Sequence, residues 1–407
     1  MINLSAIFLH FNAGNNDSVQ YYIGARSLHL TGDPYRLSAE ELGVESRHWA
    51  FCYPPGMACL FLPFAWLSLP AASWLWLSLN LLFSLLLAWQ LARVLKANNL
   101  GKSALLGAVL LFASPPYLGG LLIGQCHAWI AILLAGAFLA LSGETSLEKG
   151  QFSPRELLIR DSLAGLFLAL AVLSKLFPGL LILALLLKKR WRPAAVAGAG
   201  VLLFLLLTAD QHLEFYCKFI AANFYPTASA FNISLGGMGE RLFHATPYAG
   251  PLTDSPALCL GFKVAVMGIL AFWVGRWWFI NRPGFASLYA AGLCLMLLGS
   301  PIAGFYHLNL AWLAAAIVFP TSAKGNLSRA LLITGLALTW IPVDFSLGSD
   351  SPYAWQREAF QFLRNGWGLF LLTPQTYGVV LILAGILQGA KEKPGTKTEM
   401  GQGGLLA

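Results

Sequence analysis

The chain has 407 residues, of which 57% are apolar and 11% charged, and its formal net charge is +8. A soluble domain carries about a quarter charged residues, and several apolar runs here approach or exceed the roughly 20 residues that cross a hydrocarbon core. The fold class expected is therefore all-α, a polytopic membrane protein. A β-barrel is excluded because its strands alternate apolar and polar residues with a period of two. Nucleic acid is not an implied partner, because the positive charge belongs to cytoplasmic loops and lipid headgroups.

Met1 to Phe11 is apolar but too short to span, so the first helix is expected to be either unusually short or missing its true beginning. It leads into a polar first outer loop, 12–70, that reads FNAGNNDSVQYYIGARSLHLTGDPYRL and then FCYPPG. The apolar run 54–69 carries Pro63 and is expected to lie in the interface, because a full crossing would put Arg93 and Lys96 outside. Further helices are predicted near 72–95, 103–117, 124–143, 161–174, 177–189, 193–209, 258–280, 284–299, 305–320, 328–343 and 368–389. With the N-terminal stub, the count is about 11–12 membrane helices, assembled into a single domain over 1–390.

Six basic clusters set the topology: Arg93/Lys96/Lys102, Lys149/Arg155/Arg160, Lys188/Lys189/Arg190/Arg192, Arg276/Arg282, Lys324/Arg329 and Lys391/Lys393/Lys397. The positive-inside rule puts all six in the cytoplasm. The polar features outside these clusters then share the opposite face: the first loop, the turn SPPYLGGLLIGQ, the tip at Lys175, the loop 210–257 and the turn GSPIAGFYH. The Gly-rich tail 391–407 reads as a disordered cytoplasmic segment. The six cysteines contain no CxxC pair and read as small apolar fillers.

Asp17 leads the candidates for chemistry. It follows Asn15 and Asn16, and a carboxylate there is placed to take a proton from an attacking hydroxyl; Asp-Ser-Val-Gln also opens a helical run, where Asp is a preferred N-cap. Asp33, in Thr-Gly-Asp-Pro-Tyr, reads as a turn former. Lys175 sits between two half-length helices beside Pro178. An ionisable group at such a break is costly and by default functional, and its ammonium suits a phosphate; the alternative is snorkelling to the interface. Gln125 and His127 end an outer turn and suit sugar hydroxyls. His307 suits a phosphate oxygen or a proton, and Arg241 a phosphate or a pairing with Glu240 or Asp254. Tyr53 is either a headgroup-level anchor or a cavity wall. The sequence contains no zinc motif, P-loop, hydrolase elbow or dinucleotide fingerprint, so no cofactor is expected, and the sequence leaves dependence on a divalent metal open.

These motifs, taken in order, resemble glycosyltransferase family 87. The residues that carry the resemblance are Asp17…Tyr21-Tyr22…Gly32-Asp33-Pro34-Tyr35, Tyr53-Pro54-Pro55, Gly124-Gln125, Leu173-Ser174-Lys175-Leu176-Phe177-Pro178, Asn232-Ile233-Ser234-Leu235 before Arg241, and Ser300-Pro301…His307. The match runs from about residue 17 to 320, and Cys126-His127 departs from the aliphatic continuation expected after the Gly-Gln step. The resemblance implies a GT-C bundle with juxtamembrane helices in the first outer loop, acting as a polyprenol-phosphate-mannose-dependent mannosyltransferase. It implies Asp17 as the base of an inverting transfer. It implies Lys175, Arg241 and His307 as donor-phosphate contacts, and Tyr21, Tyr22, Tyr35, Tyr53, Gln125, His127 and Asn232 as substrate-lining residues. The partners implied are a polyprenyl-phosphate sugar, a glycolipid or glycan acceptor and the bilayer. The resemblance implies a site at the outer face of the membrane, and the lack of a eukaryotic tail signal makes a bacterial inner membrane, with the site facing the periplasm or exterior, the expected place. The rival reading is a lipid-linked sugar flippase or secondary transporter, which would carry broken helices in two repeated halves; one lysine-centred break is visible and no second copy.

Overall fold

A computed structural model describes residues 16–44, 50–96, 101–142, 153–220, 228–229, 231–246, 249–319, 326–341 and 362–389. The expected N-terminal stub, Lys149, Lys324, most of the outer loop 344–367 and the tail 391–407 lie outside the described residues.

The described chain is helical. The first outer loop holds α1 (Ser18–Thr31) and α2 (Pro55–Phe61), the latter continued by a 3-10 turn at Leu62–Trp66. Then follow α3 (Leu69–Lys96), α4 (Gly101–Phe112), α5 (Pro115–Leu122), α6 (His127–Ser142), α7 (Pro154–Ser174), α8 (Leu180–Leu187), α9 (Trp191–Leu207) and α10 (Ala209–Phe215). The second half holds α11 (Leu235–Phe243), α12 (Pro256–Asn281), α13 (Phe285–Gly299), α14 (Asn309–Val318), α15 (Asn326–Trp340) and α16 (Pro374–Gly389).

Among the described residues, three helices are long and apolar enough to cross a membrane unaided: Leu69–Leu95, Pro154–Ser174 and Pro256–Asn281. Two bent pairs qualify as broken spans, α5 with α6 at 120° and α9 with the segment Ala209–Phe219 at 87°. The remaining apolar helices are shorter, among them Pro55–Trp66, Phe177–Leu187, Phe285–Gly299 and Phe305–Val318. Half-length helices survive in a bilayer only where neighbouring protein satisfies their ends. Here α13 and α14 pack on each other, and α13 also packs on α16. Helix α12 is the opposite case, with Leu260, Val264, Ile269 and Phe272 exposed.

Three local features differ from the sequence expectation. The turn SPPYLGGLLIGQ is largely a helix, α5, because Pro115 occupies its first position, where a missing N–H costs nothing. Helix α7 begins well before 161: Ser153 and Glu156 form a reciprocal capping box, and Pro154 opens the first turn. The last predicted helix starts at Pro374, preceded by a 3-10 turn at Gly366–Phe370. The interfacial run 54–69 is a short α-helix and 3-10 turn, packed on α1 and on α7.

Candidate active site

Four breaks in regular structure meet at one place. The first is the start of α1. Asn16, not Asp17, does the capping there: its Oδ1 accepts from the Ser18 N–H at 3.0 Å, while the Asp17 side chain makes no cap bond. The Asp17 N–H donates to the Ile123 carbonyl at 2.7 Å, which ties the front of α1 to the α5–α6 bend.

That bend is the second break. Gly124 takes φ +69°, a left-handed conformation that suits glycine. A Cβ there would stand 2.8 Å from Asn16 Oδ1, so the bend and the helix start are in direct contact. Trp76 from α3 donates to the Gly124 carbonyl at 2.8 Å. The bend turns Gln125 inward, where it is 1% exposed.

The third break follows α7. Lys175 is extended (φ −152°, ψ 137°), and Pro178 blocks any helical continuation from that point. Ser174 is clamped, accepting from Trp129 Nε1 at 3.0 Å and donating to the Leu170 carbonyl at 2.7 Å. Gly56 of α2 sits against the end of α7, where a Cβ would meet the Leu173 carbonyl oxygen at 2.4 Å. That close approach brings Tyr53 over the lysine.

The fourth break is the 3-10 turn Phe305–Leu308, which presents Tyr306 and His307. Asn232 aligns it: Oδ1 accepts from the Ala303 N–H at 3.0 Å and Nδ2 donates to the Pro301 carbonyl at 2.9 Å. The Phe305 N–H also donates to the Phe231 carbonyl at 2.9 Å.

Gln125 connects these breaks. Its Nε2 donates to Asp17 Oδ2 and, at 3.1 Å, to the Tyr53 hydroxyl oxygen. Its Oε1 accepts from the Tyr21 hydroxyl at 3.1 Å and from Lys175 Nζ at 3.3 Å. Lys175 Nζ also lies at hydrogen-bond distance, 3.0 Å, from His307 Nε2. The ammonium stands 5.3 Å from the Tyr53 ring centre and 5.1 Å from that of Tyr306, within cation–π range of both. A carboxylate, an amide, an ammonium and an imidazole thus line one aromatic-walled site.

Of the sequence candidates, Asp17, Tyr21, Tyr53, Gln125, Lys175 and His307 come together here. His127 lies behind them, fully buried, its ring 4.8 Å from that of Tyr117 and 6.4 Å from that of Tyr306. The others contact the site through neighbours or not at all. The Tyr22 hydroxyl donates to the Leu67 carbonyl at 2.9 Å. The Tyr35 hydroxyl donates to the Tyr53 carbonyl at 2.7 Å, behind that side chain. Asp33 Oδ1 accepts from the Tyr35 N–H at 2.9 Å and closes a turn. Arg241, 1% exposed, donates to the Ser229 and Asn232 carbonyls at 2.8 and 2.9 Å and to Thr373 Oγ1 at 3.3 Å. Glu240 pairs with Lys263 and His244 instead.

Tyr306 was not among the candidates and Phe177 entered only as part of the motif around Lys175, yet Phe177 stacks edge-on to His307 at 5.0 Å and Tyr306 walls the lysine. The signal for Tyr306 was its adjacency to His307. Cys52, which donates to Gln20 at 2.6 Å, lies just behind the aromatic wall. Among the described residues, no group of three or more His, Cys, Asp or Glu side chains is placed to hold a metal ion.

The sequence profile of Glycosyltransferase family 87 matches residues 51–301. No curated protein matches the chain significantly. Among solved structures, ArnT from Cupriavidus metallidurans in the apo state is 15% identical, covers 95% of this chain and 74% of its own, and superimposes with a TM-score of 0.40. The same protein bound to undecaprenyl phosphate gives 14% identity with the same coverage and a TM-score of 0.39. The archaeal oligosaccharyltransferase AglB from Archaeoglobus fulgidus, in complex with an inhibitory peptide and a dolichol-phosphate, gives 14%, 95% of this chain, 56% of its own and 0.37. Likeness at that level carries no argument about activity.

Proposed function

The chain belongs to glycosyltransferase family 87, and from that premise we propose that it moves a hexose from a polyprenyl-phosphate donor to an acceptor hydroxyl at the outer face of the membrane. The observation that carries this reading is the Gln125 amide, hydrogen-bonded to Asp17 on one side and to Lys175 on the other. A carboxylate and an ammonium thus stand within the reach of one side chain, which supports a transfer between a hydroxyl and a phosphate ester.

The donor's tail lies in the bilayer and its phosphate meets Lys175 and His307. Among the described residues two acceptors meet the three N–H donors of Lys175, so one remains for a phosphate oxygen. The acceptor hydroxyl, from a glycolipid or glycan, approaches Asp17. Asp17 takes its proton as the oxygen attacks the anomeric carbon from the face opposite the phosphate. The bond from that carbon to the phosphate oxygen breaks, and its electron pair leaves as polyprenyl phosphate, so the anomeric configuration inverts. A phosphate leaves without protonation, and the charge held beside it stabilises the transition state. Mannose is the sugar the family resemblance implies. Basic clusters at the opposite helix ends favour a site on the outer side of the membrane, in a bacterium the periplasmic face of the inner membrane. Arg241 supports the site from outside: its donors go to the backbone turn that ends at Asn232.

The test uses detergent-solubilised protein, a panel of radiolabelled polyprenyl-phosphate hexoses and a lipid and glycan extract of the host membrane as acceptor. The wild type transfers label without a sealed compartment, which a flippase does not. Asp17→Asn lowers turnover at least about 100-fold while binding of polyprenyl phosphate stays within threefold. Near-normal turnover by that variant rejects the base.

A further inference from the structure

The tyrosines around Lys175 differ in what their hydroxyls do. Tyr21 donates to Gln125 at 3.1 Å, Tyr22 to the Leu67 carbonyl at 2.9 Å and Tyr35 to the Tyr53 carbonyl at 2.7 Å. The Tyr53 oxygen accepts from Gln125 at 3.1 Å. Tyr306 is the exception: among the described residues its hydroxyl makes no hydrogen bond. Yet its side chain is half-buried, and its ring centre stands 5.1 Å from Lys175 Nζ. A phenol in such a place ordinarily finds a partner, so one left over points to a ligand.

The fold holds this side chain firmly. In α5, a Cβ on Gly119 would stand 2.8 Å from the Phe305 ring, and one on Gly120 would stand 2.7 Å from Tyr306 Cβ. Two missing side chains thus let the 3-10 turn Phe305–Leu308 pack close. At the other end of the phenol, a Cβ on Gly304 would meet Tyr306 Cζ at 2.2 Å and its hydroxyl oxygen at 2.6 Å. The backbone at Gly304 (φ −65°, ψ 142°) is one that any residue adopts, so glycine there provides room for the phenol. The His307 ring packs 4.7 Å from the Tyr306 ring. Successive residues of a 3-10 turn point about 120° apart, so His307 takes the direction of the lysine and Tyr306 the one beside it.

Resting on the glycosyl-transfer reading above, we propose that Tyr306 is a specificity-determining residue whose O–H donates to a hydroxyl of the donor hexose. In the donor the hexose is bonded directly to the phosphate. With the phosphate on Lys175 and His307, the sugar is the part of the donor that lies beside them, next to Tyr306. The side chain offers what a hexose presents a need for: an apolar ring face for C–H groups and a polar tip for a hydroxyl. A donor lacking that hydroxyl leaves the O–H unpaired and binds less well. A phosphate oxygen is the competing acceptor for the same O–H, and the experiment separates the two.

The probes are polyprenyl phosphate, a panel of polyprenyl-phosphate hexoses, and deoxy analogues of the hexose donor that binds best, each lacking a single hydroxyl. Equilibrium binding to the full chain in detergent is compared between wild type and Tyr306→Phe. The substitution deletes one oxygen without a protein partner, so the melting midpoint is expected to stay that of wild type. Binding of polyprenyl phosphate stays within about twofold, while binding of the hexose donor weakens about fivefold. One deoxy analogue binds equally to both proteins, because it lacks the hydroxyl that Tyr306 engages. Gly304→Ala, which displaces the phenol, is expected to weaken hexose-donor binding by an amount that adding Tyr306→Phe does not deepen. The proposal is overturned if polyprenyl phosphate and the hexose donor weaken equally, which assigns the O–H to the phosphate. It is also overturned if every deoxy analogue stays sensitive to the substitution, or if the variant binds every probe as wild type does. Binding is read without turnover. Failure of the wild type to transfer a hexose would thus reject the glycosyl-transfer reading, whereas the sugar contact is judged from the affinities alone.

Discussion

Arg241 separates two accounts of the outer loop. As a donor-phosphate contact its loss would weaken substrate binding; the structure instead gives it to the protein. It is among the largest fully buried side chains, and Nη1 donates to two backbone carbonyls at 2.8 and 2.9 Å. Burial pushes its guanidinium down to about 10, which still leaves it charged at neutral pH. Each hydrogen bond from a charged donor contributes about 1.5–3 kcal/mol. The Thr373 contact at 3.3 Å adds less. The Ser229 carbonyl keeps a second partner, the Asn232 N–H at 2.9 Å, and losing the buried charge removes its desolvation penalty, which offsets part of the sum. Arg241→Ala is therefore expected to cost about 3 kcal/mol, and more if the void does not collapse. The measurement is thermal unfolding of purified protein in detergent, paired with polyprenyl phosphate binding by the folded fraction. The melting midpoint should fall by about 3–4 °C while affinity stays within threefold. Arg241→Lys, whose single ammonium cannot span the same acceptors, should recover only part of the loss. A variant that melts like wild type and binds the lipid phosphate tenfold more weakly would refute this account and return Arg241 to the donor.

Three further outcomes are expected. Lys175→Met removes the ammonium from the phosphate and should weaken polyprenyl phosphate binding about 10- to 100-fold, equivalent to about 1.4–2.8 kcal/mol; equilibrium binding with unchanged affinity would reject the contact. Gly124→Ala adds a Cβ 2.8 Å from Asn16 Oδ1 at φ +69°, and should lower kcat at least about tenfold through displacement of Gln125 and the start of α1; an unchanged kcat would show that the bend does not position the site. Tyr22→Phe removes a hydrogen bond to the Leu67 carbonyl, so it should cost about 1 kcal/mol of stability and leave both KM values alone, whereas a rise in either would place Tyr22 against substrate.

The membrane segments were legible because a bilayer imposes length and polarity on sequence directly. Lys175 was legible for the same reason, since a cation beside a proline within an apolar run has few structural uses. What the reading could not supply was pairing. Gln125 and Asp17 are separated by 108 positions and Lys175 and His307 by 132, and nothing in a single sequence marks such partners. Short-range rules also competed. Pro115-Pro116 signals a turn and equally opens a helix, and the helix prevailed because the bend came later, at Gly124. Asp17 and Asn16 are both good caps, and Asn16 took that role. The tyrosines were ambiguous for a simpler reason: a hydroxyl meets a sugar or a carbonyl equally well. Tyr22 and Tyr35 spend theirs on the backbone, at Leu67 and Tyr53, whereas Tyr21 spends its own on the amide between Asp17 and Lys175. The distinction depends on which carbonyl lies within 3 Å after packing, and packing is a property of the assembled helices rather than of the loop that carries the tyrosines.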